Sequence, residues 1–121
     1  MARGRILVVD DSATDLAVMT ASLRRDGYGV VTATTSEEAL AQLEREVVDL
    51  VLLDVIMPGV NGFQFCRGLR RDPRYSRLPI VFVTSKSEDS DRYWGLKQGA
   101  DGYLTKPFST EELLTAIYQH L

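Results

Sequence analysis

Leu50-Val51-Leu52-Leu53-Asp54-Val55-Ile56-Met57-Pro58 is the stretch whose reading decides the fold. Four apolar residues with no polar alternation describe a strand covered on both faces, as in parallel sheets flanked by helices. The run ends on an acid, Asp54. Ile6 to Val9 and Ile80 to Val83 have the same unbroken character, and Val30 to Ala33 with the weaker Tyr103 to Leu104 make five such runs.

Between the runs the apolar spacing changes to that of helices. Leu16, Met19 and Leu23 mark the first helix, which Gly27 terminates in a left-handed conformation. Leu40, Leu43 and Val47 mark the second, opened by Thr35 and Glu38 at capping-box spacing. Phe65, Cys66 and Leu69 mark the third. Leu113, Ile117 and Leu121 mark the last, opened by Ser109 and Glu112 in the same way. The fourth, from about Glu88 to Gln98, has the poorest apolar stripe. Strands alternating with helices predict an α/β fold of right-handed crossovers: a doubly wound, mainly parallel five-stranded sheet with helices on both faces.

With 121 residues, 45% of them hydrophobic, the chain has the size and composition of one ordinary globular domain. The expectation is a single domain over residues 1–121, closing with the fifth helix and leaving no room for an output domain. A net charge of −3 disfavours a nucleic-acid partner held by a basic surface. The apolar run near the N-terminus is too short for a signal peptide, and no stretch approaches the roughly 20 apolar residues of a membrane span. The lone Cys66 has no disulfide partner in the chain and reads as a small buried hydrophobe. These features predict a cytoplasmic protein with no membrane insertion.

In an open parallel sheet, ligands bind beyond the carboxyl ends of the strands, where strand order reverses. Asp10 and Asp11 end the first strand, Asp54 the third and Thr84-Ser85 the fourth, while the fifth runs through Thr105 into Lys106-Pro107. Taken singly, each has a plain structural use: an acid after a strand is a turn former, Thr84 or Ser85 a cap for the fourth helix, Lys106 a solvated turn residue. If the first, third, fourth and fifth strands adjoin, three carboxylates, a hydroxyl and an ammonium converge on one small area. Two carboxylates about 4 Å apart repel by about 4 kcal/mol at an effective dielectric near 20, so the cluster needs a cation. Lys106 supplies one charge, and a small hard divalent ion with oxygen ligands, Mg²⁺, supplies the rest. An Asp oxygen can attack phosphorus to form an aspartyl phosphate, with Lys106 and the metal neutralising the phosphoryl oxygens and Thr84 hydrogen-bonding one of them.

Asp10-Asp11, then Asp54-Val55-Ile56-Met57-Pro58 with Gly62, then Thr84-Ser85, then Lys106-Pro107 strongly resembles the receiver domains of bacterial two-component response regulators. The resemblance runs along essentially the whole chain. It implies a flavodoxin-like sheet in the order 2-1-3-4-5 and a phosphoryl group taken from a histidine kinase onto Asp54. By the same resemblance Asp10, Asp11, Asp54 and the backbone carbonyl of Ile56 are Mg²⁺ ligands, and Thr84 is a switch hydroxyl. Lys106 is the motif lysine, joined to Pro107 by a cis bond, and Tyr103 is a switch aromatic that changes rotamer as Thr84 moves. The downstream protein target is implied to bind the face made by the fourth helix, fifth strand and fifth helix.

Ile56 and Lys86 occupy the two positions that tune dephosphorylation in the family, and an apolar Ile56 predicts slow loss of phosphate. The segment Trp94 to Ala100 ahead of Tyr103-Leu104-Thr105-Lys106-Pro107 resembles single-domain receivers of chemotaxis-like systems controlling type IV pili and twitching motility. Trp94 itself reads either as a core aromatic under the fourth helix or as part of a recognition face.

Rival readings fit less well. A Mg²⁺ phosphohydrolase commonly carries a second acid two residues after its nucleophile, where this chain has Ile56, and a substrate cap the length leaves little room for. Nucleotide domains of this architecture need a glycine-rich phosphate loop, and neither G-x-G-x-x-G nor G-x-x-x-x-G-K-[ST] occurs. A constitutive interaction module would have no use for the full set of Asp11, Asp54, Thr84 and Lys106. A phosphate sink for another regulator would share the chemistry and differ only in its output.

Overall fold

Each apolar run forms a strand in the computed structural model, which describes residues 3–121. The elements are β1 (Arg5–Val9), α1 (Ala13–Arg25), β2 (Gly29–Ala33), α2 (Ser36–Arg45), β3 (Leu50–Leu53), α3 (Gly62–Arg71), β4 (Ile80–Thr84), α4 (Asp89–Lys97), β5 (Gly102–Thr105) and α5 (Thr110–His120). The strands form one parallel sheet in the order β2-β1-β3-β4-β5. That is the order the family resemblance implied.

Alternate residues of each strand feed two separate cores. Leu7, Val9, Val51, Leu53 and Phe82 face α2 and α3, where Ala39, Leu43, Phe65, Cys66 and Leu69 meet them. Ile6, Val8, Leu52 and Val83 face Met19 and Leu23 of α1 and Leu113 and Ile117 of α5. Strands buried on both faces cannot alternate polar residues, which explains the unbroken apolar runs. Each fully buried Leu, Ile or Val contributes about 1.5–3 kcal/mol, so truncating Ile117 to Ala would remove a keystone of the second core.

The helix starts follow their caps. Ser109 and Glu112 form the expected capping box, and Asn61 with Gln64 forms a second, at the start of α3, that the apolar pattern did not announce. At α2, Thr35 accepts from the Glu38 amide, but the Glu38 carboxylate turns to the amide of Thr34 instead of its own cap. The expected buried stripe of α2 also shifts: Ser36, Ala39 and Leu43 are buried, whereas Leu40 is at the surface and Val47 lies beyond the helix end, 81% exposed. Leu121 is likewise exposed past the end of α5. Gly27 follows α1 with φ of 93°, the left-handed conformation that ends the helix.

Helix α4 differs from the rest. Gly95 is its only buried residue, and a Cβ there would lie 2.9 Å from the Tyr103 ring. Its start is capped by Glu88 and Asp91, so neither Thr84 nor Ser85 serves as the cap. Beyond its C-terminal end, Arg70 of α3 donates to the carbonyl oxygens of Gly99 (2.8 Å) and Leu78 (2.6 Å) and to Asp101 Oδ2 (2.9 Å). Asp101 Oδ2 also accepts from the amide of Ile80 at 2.9 Å. One guanidinium therefore ties the turn after α4 to the loop before β4. Trp94 is not a core residue: it is 56% exposed and packs edge-to-face on Tyr93, which is equally open. No described helix is long and apolar enough to cross a membrane.

Candidate functional site

The register of the sheet sets the site. Val9 pairs with Leu53, Leu53 with Phe82, and Thr84 with Thr105, so the residues next in the chain, Asp10, Asp54 and Lys106, emerge on one edge beside Thr84. Chain order reverses between β1 and β3, and Asp10 and Asp54 flank that point.

One carboxylate oxygen each from Asp10, Asp11 and Asp54 lie within 4.8 Å of one another. Asp10 and Asp54 are buried while Asp11 is exposed. Lys106 Nζ closes the cluster, donating to Asp10 Oδ2 at 2.7 Å and to Asp54 Oδ2 at 3.2 Å. The second oxygens are held by local backbone: Asp10 Oδ1 accepts from the Ser12 amide at 2.9 Å and Asp54 Oδ1 from the Ile56 amide at 3.1 Å. The latter contact places the Ile56 backbone against the phosphoacceptor candidate, with the Ile56 side chain half exposed at the rim. The Lys106-Pro107 peptide bond is cis, as the resemblance implied.

The electrostatics show an excess of negative charge. Burial pushes the Asp10 carboxyl above the usual carboxylate range, and hydrogen bonds from Lys106 and Ser12 only partly offset this, with the nearby Asp54 charge adding to the rise. Burial opposes the charge on Lys106, but hydrogen bonds to Asp10 and Asp15 and the charges of Asp54 and Asp10 outweigh it and raise its pKa. Three anionic, hard oxygen donors around a partly neutralised pocket suit Mg²⁺, so the residues fit the ion that the charge argument required.

Thr84 is fully buried, its Oγ1 accepting from the Lys86 amide at 3.4 Å. Tyr103 is partly buried, its ring against Phe82 with centroids 5.9 Å apart and the Arg92 guanidinium 5.3 Å from its own centroid. Its hydroxyl donates to the Lys86 carbonyl oxygen at 2.7 Å. Burial pushes its phenol up to about 12. Thr84 and Tyr103 thus meet at the same residue, one at its amide and the other at its carbonyl oxygen.

A fourth acid, absent from the sequence reading, belongs to the site. Asp15 in the first turn of α1 accepts from Lys106 Nζ at 2.7 Å. A solvent-open depression of about 430 Å³ lies against Asp15, Ser85, Lys106, Pro107 and Phe108. Depressions of about 440 and 460 Å³ elsewhere are no smaller but are lined by none of Asp10, Asp11, Asp15, Asp54 and Lys106.

Comparison with known proteins agrees with this geometry. Residues 6–118 match the response regulator receiver domain. Protein PilH of Pseudomonas aeruginosa is 44% identical over 113 residues, 93% of each chain. The chain spans only 45% of another relative, the Bacillus subtilis alkaline phosphatase synthesis transcriptional regulatory protein PhoP, at 43% identity. Among solved structures, the Vibrio cholerae chemotaxis protein CheY4 superposes with a TM-score of 0.93 at 34% identity, covering 99% of this chain and 100% of that one. The receiver domain of a Pseudomonas aeruginosa sensor histidine kinase, with a magnesium ion coordinated in its active site cleft, superposes at 0.90 with 31% identity and 98% coverage of both. Sheet order, the edge cluster and sequence likeness over nearly the full length agree: the chain belongs to the response regulator receiver domain family.

Proposed function

We propose that the chain is a phosphoryl-accepting switch, loaded on Asp54 by a histidine kinase and read by a protein partner. The observation that carries this reading is the Asp54 carboxylate, buried but edged by Lys106 at 3.2 Å and grouped with Asp10 and Asp11 within 4.8 Å. Asp10, Asp11 and Asp54 would hold Mg²⁺, with the Ile56 carbonyl as a further ligand. The ion, when bound, supplies positive charge against the phosphoryl oxygens.

A carboxylate oxygen of Asp54 attacks phosphorus, the new O–P bond forms, and the P–N bond to the kinase histidine breaks with its electron pair leaving on nitrogen. Lys106 already donates to Asp54 and stands ready to neutralise a phosphoryl oxygen. The Thr84 hydroxyl accepts only a long 3.4 Å hydrogen bond, so turning its O–H toward a phosphoryl group costs little. Because Thr84 and Tyr103 both hold Lys86, a pull on Thr84 disturbs the Tyr103 contact, which supports their roles as relay. The chain promotes only its own loading and unloading in this reading, and so is no enzyme toward other substrates.

The exposed Tyr93, Trp94 and Leu96 on α4, next to β5 and α5, support that face as the target site. The likeness to Protein PilH and to a chemotaxis protein supports an output in chemotaxis-like control of pilus-driven motility. An apolar Ile56 favours retention of phosphate, and with it a switch over a phosphate sink. Acetyl phosphate with Mg²⁺ tests the reading by intact mass. Gain of one phosphoryl group in the wild type, abolished by Asp54→Asn and by chelation, is expected. Equal labelling of Asp54→Asn, or multiple turnovers on phosphate esters, would overturn it.

A further inference from the structure

Lys106 Nζ is 2.7 Å from Asp10, 2.7 Å from Asp15 and 3.2 Å from Asp54. An ammonium has three N–H donors and each here has a carboxylate, so none is free for an incoming group. The shortest contacts are to the two acids that are not the proposed phosphoacceptor.

Asp15 is the unusual member. Three residues after Ser12, the cap of α1, an acid ordinarily turns its carboxylate back to the cap amide or rests in the field of the helix N-terminus. Ser12 Oγ does accept from the Asp15 amide at 3.2 Å, which is half of that arrangement. The other half is blocked, because the Ser12 amide already donates to Asp10 Oδ1 at 2.9 Å. The Asp15 carboxylate is thereby released from capping and lies on the lysine. Its side chain is 41% exposed, against 1% for Asp10 and 7% for Asp54, so of the three it is the acid that water can most readily take back.

We propose that Asp15 is a positioning residue that tethers Lys106 at its resting place, competing with Asp54 for the ammonium and so slowing phosphorylation. The inference rests on the phosphoacceptor reading of Asp54. When Asp54 gains a phosphoryl group, Lys106 can bring a donor to it only by loosening one of its other pairs, and the exposed Asp15 pair is the least costly to break. Asp15 also adds a fourth negative charge to the cluster, which strengthens its hold on a divalent cation and repels an anionic phosphodonor. Without that charge, loading should quicken while cation binding weakens.

The test compares wild type, Asp15→Asn and Asp15→Glu. Calorimetry gives Mg²⁺ affinity, and intact mass gives the rate of acetyl phosphate labelling at saturating Mg²⁺. Asp15→Asn should bind Mg²⁺ several-fold more weakly and label about two- to fivefold faster, the range that a partly exposed ion pair allows. Asp15→Glu, which keeps the charge on a longer stem, should return both values toward wild type. A merely structural acid of α1 would change the melting temperature without moving the two readouts in opposite directions. Labelling of Asp15→Asn at the wild-type rate or slower, or a Glu variant that behaves like the Asn variant, removes this inference alone. A wild type that binds Mg²⁺ yet takes no phosphoryl group removes the phosphoacceptor reading and this inference with it.

Discussion

The Tyr103 hydroxyl donates to the carbonyl oxygen of Lys86 at 2.7 Å, joining β5 to the loop that follows Thr84. Replacing Tyr103 with Phe removes that bond and little else, because the ring keeps its place against Phe82 and Gly95. The variant should lose about 1 kcal/mol in urea unfolding at pH 7. Burial raises the phenol to about 12 from an ordinary value near 10, so the folded state holds this proton more tightly than the unfolded state. Its contribution is complete below pH 10 and is lost as pH rises toward 12. The stability gap between wild type and Tyr103→Phe should therefore narrow above pH 10. A gap that widens there would contradict the assigned burial.

Divalent cations should stabilise the fold by mass action. At a concentration ten times its dissociation constant Mg²⁺ adds about 1.4 kcal/mol, a rise in Tm on the order of 5 °C. Asp10→Asn should abolish that rise. In metal-free buffer at pH 7 the same variant should be more stable than wild type by about 1 kcal/mol, since a buried charge in excess of its partners is removed. The sign follows from the raised pKa: the carboxyl favours the folded state only at low pH, and that advantage is lost as pH rises through its folded value. Thermal melts with and without chelator check both statements.

Gly62 opens α3 directly over the backbone of Asp54 and Val55. A Cβ there would overlap the Asp54 carbonyl oxygen and lie 2.8 Å from Val55 Cα, and both are main-chain atoms that cannot swing aside. Gly62→Ala should cost about 3 kcal/mol in denaturant unfolding and slow labelling of Asp54 with it. Gly68, in the same helix but with nothing within 4 Å of its would-be Cβ, supplies the control. Gly68→Ala should stabilise by about 0.5–1 kcal/mol through helix propensity.

Ile56 is 49% exposed at the rim beside Asp54, so a polar replacement can be accommodated without disturbing either core. Ile56→Asn should shorten the lifetime of the phosphorylated protein by about tenfold, below the hundredfold or more of a well-aligned general base. Intact mass after removal of the donor follows the decay. A half-life of only seconds in the wild type would show that Ile56 does not hold hydrolysis back.

The five strands and the edge cluster were legible because both depend on short-range signals. Runs such as Leu50 to Leu53 can only be doubly covered strands, and an acid or hydroxyl ending such a run must emerge at the sheet edge. What escaped depended on competition between neighbours. Asp15 has the spacing of a capping acid, and only the prior claim of Asp10 on the Ser12 amide turns it toward Lys106. The α2 stripe was misplaced because small residues, Ser36 and Ala39, do the packing while Leu40 faces outward. Trp94 was open to a core reading because large aromatics are usually buried, but α4 approaches the sheet through Gly95, too closely for side chains to fill the gap.

The Arg70 hub gives α4 unequal ends. The guanidinium clamps the turn beyond Lys97 to α3 and the start of β4, whereas the opposite end, next to the loop after Thr84, is held by its own cap and by Arg92, whose Nη1 donates to the Tyr103 carbonyl oxygen at 3.1 Å. A nine-residue helix is about 13 Å long, so a tilt of roughly 10° about the clamped end would carry the other end by about 2 Å. Such a lever passes a displacement near Thr84 along the helix and scales it down toward the clamp, so that a shift of about 2 Å at the free end becomes about 1 Å at the exposed Tyr93 and Trp94. Severing its fulcrum, as in Arg70→Met, would leave the helix to slide instead of pivot.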